Sequence, residues 1–282
     1  MSRASRVGVL LRGRWPLILA LLGITLVFVV PQLWLLSLSL KHKAAVYQYP
    51  PRLVPEDPTL ANYSFALWRT QVPWYLWNSL KVALLATLLT LAASLPAAYV
   101  LSRERFRSRA PILGGLLTMQ MLSPVVLLVP IYGLVQALRL VDTHAGLILV
   151  YASLQVPFTI WLMKAFFDGL PPALFDAARV DGASRWLTFR RIALPLVAPG
   201  LAAAGILNLA AYWAEFSLAL VLLDSQARFT VPVGLFSLQG AYETEWHIVA
   251  AASIVGLVPV IAAFVALQRH FIAGLTAGSV KG

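Results

Sequence analysis

The sequence predicts an all-α integral membrane protein with six transmembrane helices and both termini on the cytoplasmic side. Composition, the spacing of apolar runs and the placement of lysine and arginine carry that prediction. Of 282 residues, 60% are hydrophobic and 12% charged, with a mean hydropathy of +0.80. A soluble domain covers its surface with roughly 25% charged residues. Half that share means that much of this chain's surface faces lipid.

The apolar runs are 17–40, 82–102, 112–138, 145–163, 199–223 and 248–268. Each is close to or longer than the about 20 residues that an α-helix needs to cross a bilayer. They are apolar all round, whereas strands of a membrane barrel alternate over about 10 residues. The first run follows Arg3, Arg6, Arg12 and Arg14. It exceeds the roughly 7–15 residues of a signal h-region, which predicts a retained anchor. Pro124 and Pro130 fall inside the third run, a placement that membrane helices tolerate.

Basic residues fix the orientation, because cytoplasmic flanks carry the excess of lysine and arginine. Alternating the flanks places 15 of them on the side of both termini and 7 on the other. The first group includes Arg103, Arg105, Arg107, Arg109, Lys164, Arg179, Arg185, Arg190 and Arg191; the second includes Lys41, Arg52, Arg139 and Arg228. The net charge of +11 would suggest nucleic acid in a soluble protein. Here it is distributed between apolar runs, so the expected partner is the bilayer and not nucleic acid.

Two segments between runs are long. Residues 41–73 form an external loop with Pro50, Pro51, Pro55 and Pro58, closed by Trp74, Tyr75 and Trp77 at headgroup level. The expected organisation is therefore an N-terminal anchor helix and external loop (1–74) and a core of five transmembrane helices (75–282). The other segment, 168–198, lies between the fourth and fifth runs on the cytoplasmic side. Pro171 and Pro172 suit a helix start, and a short helix is predicted from about Pro172 to Val180. Ala177 and Ala178 offer it a small-residue surface. Gly182 then supplies a left-handed C-cap, which a side chain would disfavour by ~1–2 kcal/mol. A second helix is expected from Ser184 to about Leu194, ended or kinked by Pro195, with Trp186, Phe189 and Ala193 on one face. Such an element suits docking into a groove on a cytoplasmic partner.

Asp176-Ala-Ala-x-x-Asp-Gly-Ala183, followed by Phe189 and Pro195-Leu196, resembles the EAA loop in permease subunits of binding-protein-dependent ABC importers. The usual glutamate is Asp176 here. The carboxyl end, 267–282, is similar to the tail of the carbohydrate-uptake branch, the maltose permease MalG type. Trp213-Ala-Glu-Phe216 resembles that branch's fifth-helix segment, with Ala214 where asparagine is frequent; Thr230–Leu235 and Tyr242–Trp246 resemble its external loop. The resemblance implies a type I ABC importer (MetI-like) permease fold in a bacterial or archaeal inner membrane. It implies half of a translocation pathway for a di- or oligosaccharide of the maltose or trehalose kind. The implied partners are a second, MalF-like permease subunit, two ATPase subunits and an external sugar-binding protein. Asp176, Ala177, Ala178, Asp181, Gly182, Ala183, Trp186 and Phe189 then form the element that enters a cleft of the ATPase. A permease of another ABC importer branch is the alternative.

The chain has no Gly-x-x-x-x-Gly-Lys-Ser/Thr loop for phosphate. ATP and its magnesium are thus expected on partner subunits, with no cofactor and no catalysis on this chain. There is no cysteine, and His42, His144, His247 and His270 are scattered, so neither a thiol site nor a metal site is expected. Glu215 is the one acidic residue well inside an expected span. Intramembrane carboxylates mark a pathway or a buried partner. Glu215 either forms, with Asn208 and Tyr212, a wall for sugar hydroxyls, or makes a structural bond to a neighbouring helix or lies near the outer mouth. A carrier driven by an ion gradient would need more such groups and a second repeat.

Overall fold

Apolar segments without water must satisfy their backbone groups internally, and the described residues of this chain do so with helices alone. The computed structural model describes residues 15–240 and 244–277, the side chains of Pro16 and 267–277 excepted; all its regular structure is helical. The expectations for Arg3, Arg6, Arg12, Arg14, Tyr242, Glu243, Lys281 and the end of the tail from 278 lie outside the described residues. Two compact units are present, Met1–Thr70 with Leu238–Val255, and Gln71–Ser237 with Gly256–Gly282.

In the first unit, α1 (Trp15–Ser39) is apolar and exposed along its crossing length. Its end is tied down. Asn62 of α2 (Ala61–Trp68) donates to the carbonyls of Ser39 and Lys41, both at 2.8 Å, and Tyr63 hydrogen-bonds Ser39 at 2.6 Å. Lys41 donates to the Arg52 carbonyl at 2.5 Å. Lys43 pairs with Glu245 at 3.4 Å.

The second unit is built on α3 (Val72–Arg103), α4 (Arg109–Gln120), α5 (Leu128–Ala137) and α6 (His144–Asp168). It continues with α7 (Pro172–Val180), α8 (Arg185–Thr188), α9 (Ala198–Ala214), α10 (Ser217–Leu222) and α11 (Val231–Ser237). The last helix, α12 (Trp246–Ala277), belongs to the first unit up to Val255 and to the second from Gly256. The face of α3 turned inward carries Ala83, Ala86, Thr87, Thr90, Ser94 and Ala98, all buried. Small residues at this spacing let helix backbones approach closely in a membrane, where apolar area alone gives no drive to associate.

Four helices among the described residues (α1, α3, α6 and α12) are long and apolar enough to cross a membrane, and a bent pair ending in α9 makes up to five. The third run departs from a single helix. α4 and α5 are separated at 121–127, where Val126, Leu127 and Leu128 donate three residues back to Ser123, Pro124 and Val125. Pro124 lacks an N–H and disfavours helix at the residue before it, so the run breaks there. The fifth run breaks too, at Glu215 and Phe216, between α9 and α10. Glu215 therefore lies past the helix that carries Asn208 and Tyr212, in extended backbone (φ −70°, ψ 127°).

Hydrogen bonds gather the ends of these helices into two groups. At one end Ser102 donates to Asp168 at 2.6 Å, Arg103 donates to the carbonyls of Phe167 and Leu170, and Arg185 pairs with Glu104 at 3.3 Å. At the other, Asn78 donates to the carbonyls of Ala227 and Phe229. There Arg228 pairs with Asp142 at 2.9 Å, and the Val231 amide donates to Ser79 at 2.7 Å. The chain runs from the second group to the first along α3 and returns through α4 and α5. It runs down again along α6 and returns through α9 and α10.

The 168–198 loop and the polar residues of the core

Pro171 is extended and Pro172 opens α7, which ends at Val180. Gly182 has φ +73°. Its amide donates to Arg179 at 3.1 Å, and the Ala183 amide donates to Ala178 at 2.9 Å. These two bonds with a left-handed residue form a Schellman cap. A Cβ at Gly182 would meet no atom within 4 Å, so backbone conformation alone, and not crowding in this chain, selects glycine there. Ser184 then caps α8, its hydroxyl accepting from the Leu187 amide at 3.3 Å.

Beyond Thr188 the helix widens into a π-turn over Phe189–Ala193, in which the Leu194 amide reaches back five residues to Phe189. This register change carries the helix through Pro195, so that of the two expected outcomes, an end or a kink, the chain shows a kink. The direction changes two residues later, at Val197, where α9 starts at 76° to Arg185–Leu196. A proline has no N–H to lose in the turn that precedes it, and π-turns absorb such interruptions.

The loop is fixed from beneath by aromatic side chains. Tyr99 of α3 contacts Phe167 of α6 (5.6 Å between ring centroids), Phe175 of α7 (6.3 Å) and Phe189 (5.1 Å). All four are buried, in one cluster with Met163, Ala193 and Val197. Arg103 lies 4.1 Å from the Phe175 ring centroid. The alanine pair does not act as one surface: Ala178 is buried against this cluster, whereas Ala177 is exposed. Asp176, Val180, Asp181 and Gly182 are exposed and Ala183 partly so. Phe189 and Ala193 are buried, but Trp186 is 63% exposed although its ring lies 5.3 Å from Phe189. The exposed face thus joins Asp176, Ala177, Val180, Asp181 and Trp186 around the glycine turn.

The polar residues of the fifth run face inward and are paired. Asn208 is fully buried and exchanges hydrogen bonds with Thr159 at 3.1 and 3.2 Å. The Tyr212 hydroxyl bonds Thr90 at 2.7 Å, and its ring stacks on Tyr151 at 5.3 Å. Tyr151 donates to Glu215 Oε2 at 2.7 Å, while the Leu218 and Ala219 amides donate to the same carboxylate at 2.8 and 3.1 Å. Glu215 is only partly buried. Its carboxylate spans the break between α9 and α10 and occupies the otherwise unpaired amides that open α10. The partners Thr90, Tyr151 and Thr159, and the anchors Tyr99 and Arg103, were not singled out from sequence. A polar residue within an apolar run must find a partner, and that rule would have flagged the first three.

A family model for the binding-protein-dependent transport system inner membrane component matches residues 90–276. The chain belongs to this family. It is 39% identical over 252 residues to the sulfoquinovosyl glycerol transport system permease protein SmoH of Agrobacterium fabrum, covering 89% of this chain and 88% of the relative. It is 34% identical to the trehalose/maltose transport system permease protein MalG of Thermococcus litoralis, covering 94% of this chain and 97% of the relative. In structure it matches a chain of a bacterial ABC transporter involved in the import of the acidic polysaccharide alginate. The TM-score is 0.78 at 23% identity, over 96% of this chain and 99% of the other, a likeness of fold. The matched region of this inner-membrane component contains both the 168–198 loop and the polar residues of the fifth run.

Proposed function

We propose that this chain is one of two transmembrane subunits of an ATP-driven sugar importer. The observation that carries the reading is the exposed face around Gly182, held on a rigid aromatic base at the ends of two membrane helices. Such a face suits insertion into a cleft of an ATPase subunit, and Asp176, Ala177, Asp181 and Trp186 are the side chains available to it. Ala178 and Phe189 serve the same element from beneath. Six crossings with both termini cytoplasmic are the arrangement we infer, α4 and α5 together making one crossing and α9 with α10 another. The grouping of Arg103, Asp168 and Arg185 at one end and Asn78, Asp142 and Arg228 at the other supports it, as does the lysine and arginine asymmetry.

The remaining parts of the machine lie outside this chain. A second, related permease completes the pathway, two ATPase subunits bind ATP and magnesium, and an external binding protein delivers the sugar. A di- or oligosaccharide is supported by the trehalose/maltose relative and by the trehalose transport permease SugB of Mycobacterium tuberculosis, 34% identical over 90% of this chain. When ATP closes the ATPase pair, the loop moves with it and the aromatic base passes the motion to α3 and α6 as near-rigid bodies. Of the three residues first placed on the pathway, Asn208 and Tyr212 hold the helices together. Glu215 keeps an accessible edge and is the one assigned to sugar hydroxyls. The test is ATP hydrolysis by the purified complex with binding protein and a sugar panel. A complex whose hydrolysis no sugar-loaded binding protein stimulates would refute the reading.

A further inference from the structure

A cleft of about 400 Å³ opens beside the loop, between the end of α3, the 104–109 connection and α7. Arg103, Arg105, Arg109, Arg179 and Arg185 line it, against two acids, Glu104 and Asp176. Both acids are committed, Glu104 to Arg185 at 3.3 Å and Asp176 to Arg179 at 3.7 Å. The nearby Asp168 is held by Ser102 and Lys164, each at 2.6 Å. Arg105 and Arg109 have no ion pair among the described residues. Arg103 spends its outer nitrogen on two carbonyls, and its buried Nε has no partner among the described residues. Five guanidinium groups therefore face two lining acids around one cavity, with Asp168 beside it as a counter-charge that Arg103 and Arg109 share and Tyr99, Pro172 and Phe175 as its apolar wall.

We propose that this cleft binds the phosphate of an anionic phospholipid headgroup. Guanidinium forks match phosphate oxygens two at a time, which a hydrated ammonium does not. Basic pockets between membrane helices on the cytoplasmic side suit anionic headgroups. This one lies where the apolar run of α3 gives way to the basic connection, which is headgroup level in the proposed orientation. Because Arg179, Ala183 and Arg185 belong to the loop and Arg103 to α3, an occupied cleft ties the loop to the membrane helix. The binding site rests on the inferred orientation and is independent of which substrate is carried.

The experiment is native mass spectrometry of the purified assembled transporter, titrated with phosphatidylglycerol and, as the neutral control, phosphatidylcholine. We expect phosphatidylglycerol to be retained and phosphatidylcholine not. The pair Arg105→Ala with Arg109→Ala should weaken retention about thirtyfold, at about fivefold for each arginine near the surface. Arg105→Lys with Arg109→Lys keeps the charge without the fork and should give an intermediate loss; it also serves if the alanine pair fails to assemble. Arg190→Ala with Arg191→Ala, basic residues outside the cleft, should leave retention unchanged. Equal retention in wild type and the alanine pair, or equal loss in both alanine pairs, overturns the site. Displacement of the lipid by excess inorganic phosphate overturns the lipid as occupant and leaves free phosphate in its place. The readout is bound mass, so its failure is distinct from a failure of sugar uptake or ATPase stimulation.

Discussion

Gly182→Val perturbs the loop without touching a membrane helix. The residue has φ +73°, and a Cβ there meets nothing within 4 Å. The whole intrinsic cost is then conformational, ~1–2 kcal/mol for an ordinary L-residue and more for a β-branched one. A cost of about 1.4 kcal/mol lowers the equilibrium constant for holding the turn about tenfold. The bonds from Gly182 to Arg179 and from Ala183 to Ala178 would be lost with it, and the two helices would leave the turn at a different angle. Insertion and pairing should persist, because the residue is exposed. We expect sugar uptake to fall about tenfold or more, with the ATPase either detached or no longer stimulated by loaded binding protein. Gly182→Ala should be milder, and Gly182→Asn milder still, since asparagine visits the left-handed region. The assay is uptake measured beside ATPase recovery in the purified complex. Wild-type values of both in Gly182→Val would remove the loop from the coupling mechanism.

Other perturbations test separate parts of the structure. Cysteine labelling is clean in this chain, which has no native cysteine: Arg185→Cys and Arg105→Cys should be shielded from an impermeant reagent outside intact cells, and Asp57→Cys and Arg228→Cys labelled. Glu215→Ala strips the acceptor from Tyr151 and two amides, and should destabilise the complex by ~1–3 kcal/mol in a thermal melt. Glu215→Gln keeps an acceptor, so it should melt near wild type while altering uptake affinity; unchanged uptake would take Glu215 off the pathway. Burial pushes the Asp142 carboxyl up, but the Ser225 hydroxyl, the Ser225 and Asp224 amides and Arg228 outweigh it and hold it below the usual carboxylate range. A carboxylate depressed on folding stabilises above its unfolded pKa, about 3.9, and that contribution is lost as pH falls through the folded value. The melting temperature of wild type should therefore drop more steeply below about pH 4 than that of Asp142→Asn; parallel curves would contradict the assignment. Tyr99→Ala removes a ring shared by three partners and should cost about 3–5 kcal/mol, read by the same melt.

The helical class and the principal apolar segments were legible because membrane burial writes itself as long runs without charge. The turn at Gly182 was legible for a different reason: glycine after a short helix, preceded by Asp181, has few other uses. Breaks inside the third and fifth runs were not. Pro124 interrupts α4 and α5, while Pro157 and Pro259 stay inside α6 and α12, so proline alone does not say which helix yields. Glu215 is a similar case. Its place in an apolar run suggested a helix interior, and only the three-dimensional arrangement brings Tyr151 and the α10 amides to it. The inward turn of Ala178 and the outward turn of Trp186 depend on where Phe175 of α7 and Phe189, just beyond α8, rest on Tyr99, contacts between residues far apart in the chain.

That contact bears on how motion at the loop reaches the membrane. A loop held only by its own backbone would absorb a push by bending at Gly169 and Val197, the residues where helices stop on either side. Here Phe175 and Phe189 close over Tyr99 and Phe167, and Arg103 fastens the carbonyls of Phe167 and Leu170. Close-packed aromatic clusters transmit displacement because they have few alternative packings. On the proposed reading a force at Asp176 or Trp186 therefore moves the ends of α3 and α6 together before the connecting backbone yields.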